Sequence, residues 1–323
     1  MRGAAAVTVV EGLTNQSLVT AFASLRLGGT EAGRRVAHGV YGRGRSAGDT
    51  HLQAQAMLVL AHAYVFESRF RLACRCCTRA RELFVRHGDA GGLAEASGVL
   101  AYVAATLGLQ DHARQCAAEG LSLRDGAAGP LAQAFGLNYA GVAAFWARDF
   151  ATASGLLDAA AWYATNQSPG GAAAFHPLVN AAACEALRIL LAEPEADLGR
   201  MERIVGRARA MEQRGRIATL RLGSRDIGLL LLAFEECFLA CRRGDLEEAE
   251  VCYRVCSQQS ARLPATSWLY AVNWWARAER AQAHGRLAEA RSCAAAMAKS
   301  AELGQHVPLR TVGLALKYAL QDR

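Results

Sequence analysis

Short side chains recur along this chain at a fixed distance, inside otherwise apolar stretches. Ala21, Ala61, Ala101, Gly141 and Ala181 stand forty residues apart. A second column, Gly33, Ala73, Ala113 and Ala153, keeps the same step, as does a third, Val40, Ala80, Gly120 and Ala160. Between the first two columns fall Gly28, Ser68, Gly108 and Arg148. Around them apolar residues recur at helical spacing, as in Leu58, Ala61, Tyr64 and Val65, the mark of a helix with one buried face. No stretch alternates strictly enough for a strand. Each period therefore reads as a helix with a small residue midway, a turn, and a second helix with two small residues. Helices approach to roughly 8–10 Å only where the contacting residues are short, so the columns mark the seams of helical hairpins.

The register slips after Ala181, where Leu191 to Arg200 carries Pro194 and extra residues, and then returns. Cys237, Gly244, Leu246, Ala249 and Cys256 form one copy; Ala278, Gly285, Leu287 and Ala290 form the next, forty-one residues on. Breakers punctuate the helices at Gly91-Gly92, Gly129-Pro130, Pro169-Gly170-Gly171, Leu263-Pro264 and His306 to Pro308. Pro130 and Pro308 suit a first helical turn, where a missing N–H costs nothing. The sequence thus predicts an all-α fold, a right-handed α-solenoid of about seven stacked helix-turn-helix repeats and about fifteen helices, as one superhelical domain over 1–323. The repeats cover approximately 14–50, 52–90, 93–127, 131–168, 172–215, 226–262 and 266–304, with a terminal helix at 308–321. A single hairpin cannot bury its own apolar faces; stacking buries them on neighbours and leaves a concave wall.

Three copies carry a family likeness. Arg243-Gly244-Asp245-Leu246-Glu247-Glu248-Ala249-Glu250, His284-Gly285-Arg286-Leu287-Ala288-Glu289-Ala290, and the set Tyr64, Phe70, Ala73 and Ala80 resemble the tetratricopeptide repeat family. The resemblance runs from about Thr14 to Leu320. It departs from the usual 34-residue repeat by its longer helices, and in this it looks like the sensory arrays of bacterial signalling proteins. The resemblance implies a groove lined by the first helix of each pair. Its candidate residues are His62, Val65, Phe66, Tyr102, Thr106, Asn138, Phe145, Trp146, Asn180, Glu185, Phe238, Arg242, Trp275 and Glu279. Asn138 and Asn180, in nearly equivalent places, and Asn273 carry side-chain amides that can both donate to and accept from a peptide backbone. The same amides would equally serve to bind the next helix.

Composition narrows the picture. Hydrophobic residues make up 52% and charged residues 20%, which excludes disorder. Aromatics at 7% are too few for an all-β barrel. The net charge of +7 is almost entirely arginine, since lysine occurs only at 299 and 317. Eight arginines cluster between Arg200 and Arg225. Without a base-reading motif or interleaved aromatics, they read as a solvated face, with nucleic acid an unlikely partner by that test. The ten cysteines sit in alanine- and leucine-rich segments and read as small, reduced core residues. Cys237, Cys241, Cys252 and Cys256 also have a spacing that four thiols binding zinc across a hairpin would need. The start of the chain lacks a clear signal-peptide pattern, and the longest apolar run, Ile227 to Phe234, is far short of the roughly 20 residues a bilayer requires.

There is no metal-binding His-Glu-x-x-His helix, no phosphate-cradling glycine loop and no nucleophile elbow in the sequence. His38, His87 and His284 read as helix-end residues suited to the dipole. The expectation is a cytoplasmic, non-catalytic scaffold without cofactor or resident metal. It binds a peptide or protein segment in its groove and has no membrane partner; a homodimer is left open. The alternative is a sensory or regulatory module of a bacterial signalling protein, a diguanylate cyclase or transcription activator, detached from its output domain.

Overall fold

The computed structural model describes residues 15–26, 30–127, 130–167, 169–219, 222–261, 263 and 266–321. Fifteen α-helices and two short 3-10 segments occur among them, with no strand. The helices pair in chain order as antiparallel hairpins. These are α1 (Gln16–Arg26) with α2 (Thr30–Ala47), α3 (Thr50–Phe66) with α4 (Phe70–His87), and α5 (Ala90–Thr106) with α6 (Gln110–Ala127). Next come α7 (Pro130–Trp146) with α8 (Phe150–Gln167) and α9 (Phe175–Leu190) with α10 (Leu198–Gln213). Then α11 (Leu222–Arg243) pairs with α12 (Leu246–Ser260) and α13 (Trp268–Ala283) with α14 (Leu287–Leu303), before a final α15 (Val307–Ala319). The chain is therefore an all-α solenoid of stacked helix-turn-helix pairs.

The turn positions have a common cause. Ser68, Gly108, Arg148, Ala192, Gly244 and Gly285 all adopt positive φ, between 54° and 79°. A left-handed residue just past a helix lets the following N–H reach back to a carbonyl of the last turn. Arg69 N–H donates to Tyr64 O (2.8 Å), Leu109 to Ala104 (2.9 Å), Asp149 to Ala144 (3.0 Å) and Arg286 to Ala281 (2.9 Å). The next helix is then capped by an aspartate in two hairpins: Asp149 Oδ1 accepts from Thr152 N–H (3.2 Å) and Asp245 Oδ1 from Glu248 N–H (3.0 Å). Gly28, the first of the turn column, lies outside the described residues.

The small columns are buried seams. Ala21, Ala61, Ala73, Ala80, Ala101, Ala113, Ala153 and Ala160 expose essentially nothing. A Cβ on Gly33 would lie 2.7 Å from the Ala21 carbonyl, and one on Gly120 would lie 3.2 Å from the Ala94 carbonyl. Cys237 plays the same part in a later copy, its thiol 3.6 Å from the Ala249 carbonyl on α12. One helix-end expectation fails. His87 ends α4 and His284 caps α13, whereas His38 lies in the middle of α2. There its Nε2 stands 3.5 Å from the Tyr64 hydroxyl, and burial beside Arg34 lowers its pKa. No helix boundary falls near it because α2 continues through Gly39, Gly42 and Gly44.

The array closes on itself. The corner joining α14 to α15 lands on the turns of earlier hairpins. Gln305 Oε1 accepts from Arg71 N–H (3.1 Å), and Ser68 Oγ accepts from Trp268 N–H (3.2 Å). Val307 packs so near Gly108 that a Cβ there would meet it at 3.0 Å. At the centre of this seam sits His306, 1% exposed, with its ring 4.7 Å from that of Trp146, 5.2 Å from Trp268 and 6.2 Å from Phe70. Its Nδ1 caps α15 by accepting from Leu309 N–H (3.2 Å). Burial pushes its pKa down to about 3, so it is neutral and fits an aromatic nest.

Candidate functional site

Closure deepens the concave wall into a partly open cavity of about 660 Å³, within the roughly 300–1,000 Å³ range of small-ligand sites. The first helix of every hairpin contributes to its lining. Phe22 comes from α1; Gln55, Leu58, His62, Val65 and Phe66 from α3; Glu95, Gly98 and Tyr102 from α5. Phe135, Asn138, Tyr139, Val142, Phe145 and Trp146 come from α7, and His176, Asn180 and Ala183 from α9. Ile227, Leu231 and Phe234 of α11, Trp268, Val272 and Trp275 of α13, and Leu309 of α15 add to it, as do Phe84, Gly88 and Asp89 at the α4–α5 turn and Gly120 of α6. The lining is mostly aliphatic and aromatic with a few convergent polar groups, the usual make-up of a recognition cavity.

The sequence-derived candidates divide between the cavity and the hairpin interiors. His62, Val65, Phe66, Tyr102, Asn138, Phe145, Trp146, Asn180 and Trp275 line the cavity. Glu185, Phe238, Arg242, Glu279 and Thr106 are not among its lining residues. Glu185, 1% exposed, takes Arg188 at 3.0 Å and Arg200 at 3.3 Å. Glu279 accepts from Arg242 Nη2 (2.8 Å) and Trp275 Nε1 (3.1 Å), with the Arg242 guanidinium over the Phe238 ring. The Thr106 hydroxyl donates to the Tyr102 carbonyl (2.9 Å). The Arg242–Glu279 pair ties inner helices α11 and α13 together, and Arg200 ties α10 to Glu185 of α9, for a buried carboxylate survives only when paired and hydrogen-bonded.

The two asparagines meet. Asn180 Nδ2 donates to Asn138 Oδ1 at 2.9 Å across α7 and α9. The pairing uses one donor and one acceptor, and leaves the Asn138 NH₂ and the Asn180 carbonyl oxygen to offer a ligand. Asn273 is buried with its Oδ1 unpartnered and is not among the lining residues. At the level of α3 and α5, His62 Nε2 stands 3.5 Å from Glu95 Oε1. That is close for charges, yet His62 Nε2 makes no hydrogen bond. His62 also packs edge-on against Phe22 (4.9 Å).

Sequence reasoning missed Glu95, Tyr139 and Leu309, and held Trp268 only as one of five tryptophans that could anchor a partner. The forty-residue register places Glu95 level with Gln55 and Phe135, so one more helical turn along the column would have found it. Trp268 and Leu309 enter through the closure, which no local pattern announces.

Other candidate chemistry is spoken for. No group of three or more His, Cys, Asp or Glu side chains is placed to hold a metal among the described residues. The ten cysteines are free thiols, and only Cys74 and Cys241 are partly exposed. Burial raises Cys76 and Cys116 to about 11, and Cys252 and Cys256 to about 12, the first of these last two also through Glu248. Thiols held in that range are poor nucleophiles at neutral pH. Much of the arginine run is paired on the outer face: Arg200 with Asp158 (2.7 Å), Arg203 with Asp197 (3.4 Å) and Arg209 with Glu212 (3.1 Å) and Glu236. The side chains of Arg221 and Arg225 lie outside the described residues. Among the described residues no helix is long and apolar enough to cross a membrane.

Fold and cavity together define a helical-repeat array whose inner helices enclose a mostly apolar chamber. Of solved structures, a Rap protein complexed with competence and sporulation factor has a similar fold. The similarity covers 95% of this chain and 74% of that chain, with a TM-score of 0.60 and 10% sequence identity. At that identity the likeness is one of fold. No protein-family model and no curated protein matches the sequence.

Proposed function

We propose that this chain is a tetratricopeptide-type, non-catalytic scaffold of the cytoplasm that binds a peptide segment in its cavity. The observation that carries the reading is the Asn138–Asn180 pair, set into an otherwise aromatic and aliphatic chamber. Apolar walls supply affinity without direction. A paired amide edge supplies direction, because its remaining donor and acceptor match the N–H and C=O of an extended backbone. Trp146, Trp268 and Trp275 supply the large rigid surfaces on which binding energy concentrates. The similar fold of a Rap protein solved with a bound factor supports a role in recognition.

The test is affinity selection from a random hexapeptide library, comparing the protein with the Asn138→Ala, Asn180→Ala double variant. Loss of one or two backbone hydrogen bonds should weaken retained peptides by about tenfold while circular dichroism and the unfolding midpoint stay near those of the parent. Equal retention by both proteins would refute the amide role.

A further inference from the structure

The charge of the cavity is opposite to that of the molecule. Among the described residues no lysine or arginine lines the chamber, while Asp89 and Glu95 do. Asp89 is occupied: its Oδ1 accepts from Gly92 N–H (2.8 Å) and its Oδ2 faces His51 Nε2 (2.9 Å). Glu95 Oε1 stands 3.5 Å from His62 Nε2, a nitrogen that makes no hydrogen bond. His62 is itself 7% exposed, so a buried nitrogen and a cavity-facing carboxylate stand together without being satisfied by each other. The buried His62 nitrogen left in this state is costly, while the Glu95 side chain, 26% exposed, stays open to a ligand.

Two glycines flank Glu95, Gly136 open to the cavity and Gly98 under Tyr139, which a Cβ there would touch at 3.6 Å. Gly98 lies one turn further along α5, and Gly136 lies on the adjacent α7; both line the cavity. A Cβ at Gly136 would meet nothing within 4 Å. Glycines let another backbone approach a helix closely. In the forty-residue register Gly98 is level with Asn138. A chain passing over these glycines therefore runs from Glu95 toward the asparagine pair.

We propose that the cavity takes the amino-terminal end of a short apolar peptide, with its α-ammonium seated at Glu95 and its first peptide groups on Asn138 and Asn180. This rests on the peptide-binding reading above and specifies its occupant. A chamber of about 660 Å³ admits a chain end more readily than the middle of a long segment. Of the two ends, a carboxylate brings a negative charge to a lining in which no described residue is arginine or lysine. Burying it unpaired is unfavourable. An ammonium brings three donors to a carboxylate whose ion pair with His62, at 3.5 Å, makes no hydrogen bond.

The experiment uses soluble random hexapeptides in four forms: both ends free, N-acetylated, C-amidated, and blocked at both ends. Peptides retained by the intact protein are counted by mass spectrometry. Free-amine forms should be enriched at least about tenfold over acetylated forms, the worth of one charge-assisted hydrogen bond, and C-amidation should not lower retention. Glu95→Gln should erase the preference for a free amine while still retaining peptides, and Glu95→Lys should turn it toward free carboxylates. Acetylated and free forms retained equally by the parent would overturn the ammonium site and leave the peptide-binding reading standing. Retention of no form at all would remove both.

Discussion

Both carboxylate oxygens of Glu235 lie buried on α11 with no hydrogen-bond partner. Burial, and the neighbouring Glu236 charge, raise its pKa well above the ordinary carboxylate value. The unfolded chain releases this proton near pH 4.5, whereas the folded chain holds it. The stability associated with this site is therefore fully present below that pH and is lost as pH rises toward the folded pKa. Glu235→Gln removes the titration while keeping the shape. It should match the parent in urea unfolding at pH 4 and exceed it at pH 8, the gap widening by up to about 1.4 kcal/mol per pH unit. A constant gap across that range would show that Glu235 is paired in solution. Nothing in the sequence marked this residue: a glutamate between Phe234 and Glu236 in a long helix reads as a helix former, and burial on all sides comes only from tertiary packing.

At the scale of elements, the small-residue columns carry the hairpin seams, and two glycines separate packing from propensity. A Cβ on Gly313 of α15 would lie 2.9 Å from the Ala298 nitrogen and 3.1 Å from the Ala294 carbonyl. Those are backbone atoms, so α15 must move away from α14. Gly206 on α10 is exposed and would meet nothing within 4 Å. Gly206→Ala should stabilise by up to about 1 kcal/mol through helix propensity. Gly313→Ala should destabilise by about 1–3 kcal/mol through overpacking. Equilibrium denaturation of both variants checks the pair; the same sign for both would mean that the seam tolerates separation. Helix number and turn positions were legible because a single spacing repeats across hairpins. The turn column was legible as a position but not as a cause. Ser68, Arg148 and Ala192 share no side-chain chemistry, only a left-handed backbone. His38 misled because glycines flank it inside a helix that packing sustains.

At the scale of the whole molecule, the wall was legible and the chamber was not. The inner-helix columns identified nine cavity residues, from His62 to Trp275. They also drew in Glu185, which pairs with Arg188 of its own helix and Arg200 of α10, and Arg242 and Glu279, which pair across α11 and α13. A groove residue and an inter-helix tie share one sequence position class. What distinguishes them is curvature, which accumulates over many repeats from small rotations. Curvature also brings the His306 corner onto Phe70 and Trp146, and so makes a cavity of a groove.

Two backbone amides report that closure directly. Arg71 and Trp268 sit in the first turns of α4 and α13, where an N–H has no partner within its own helix. Here they donate to Gln305 and Ser68 across the seam. Residue-resolved hydrogen exchange should find both amides protected well beyond that of Glu247, the corresponding first-turn position of α12. Exchange of all three at the same fast rate would mean that the array stands open in solution, and would contradict the closure on which the proposed recognition depends.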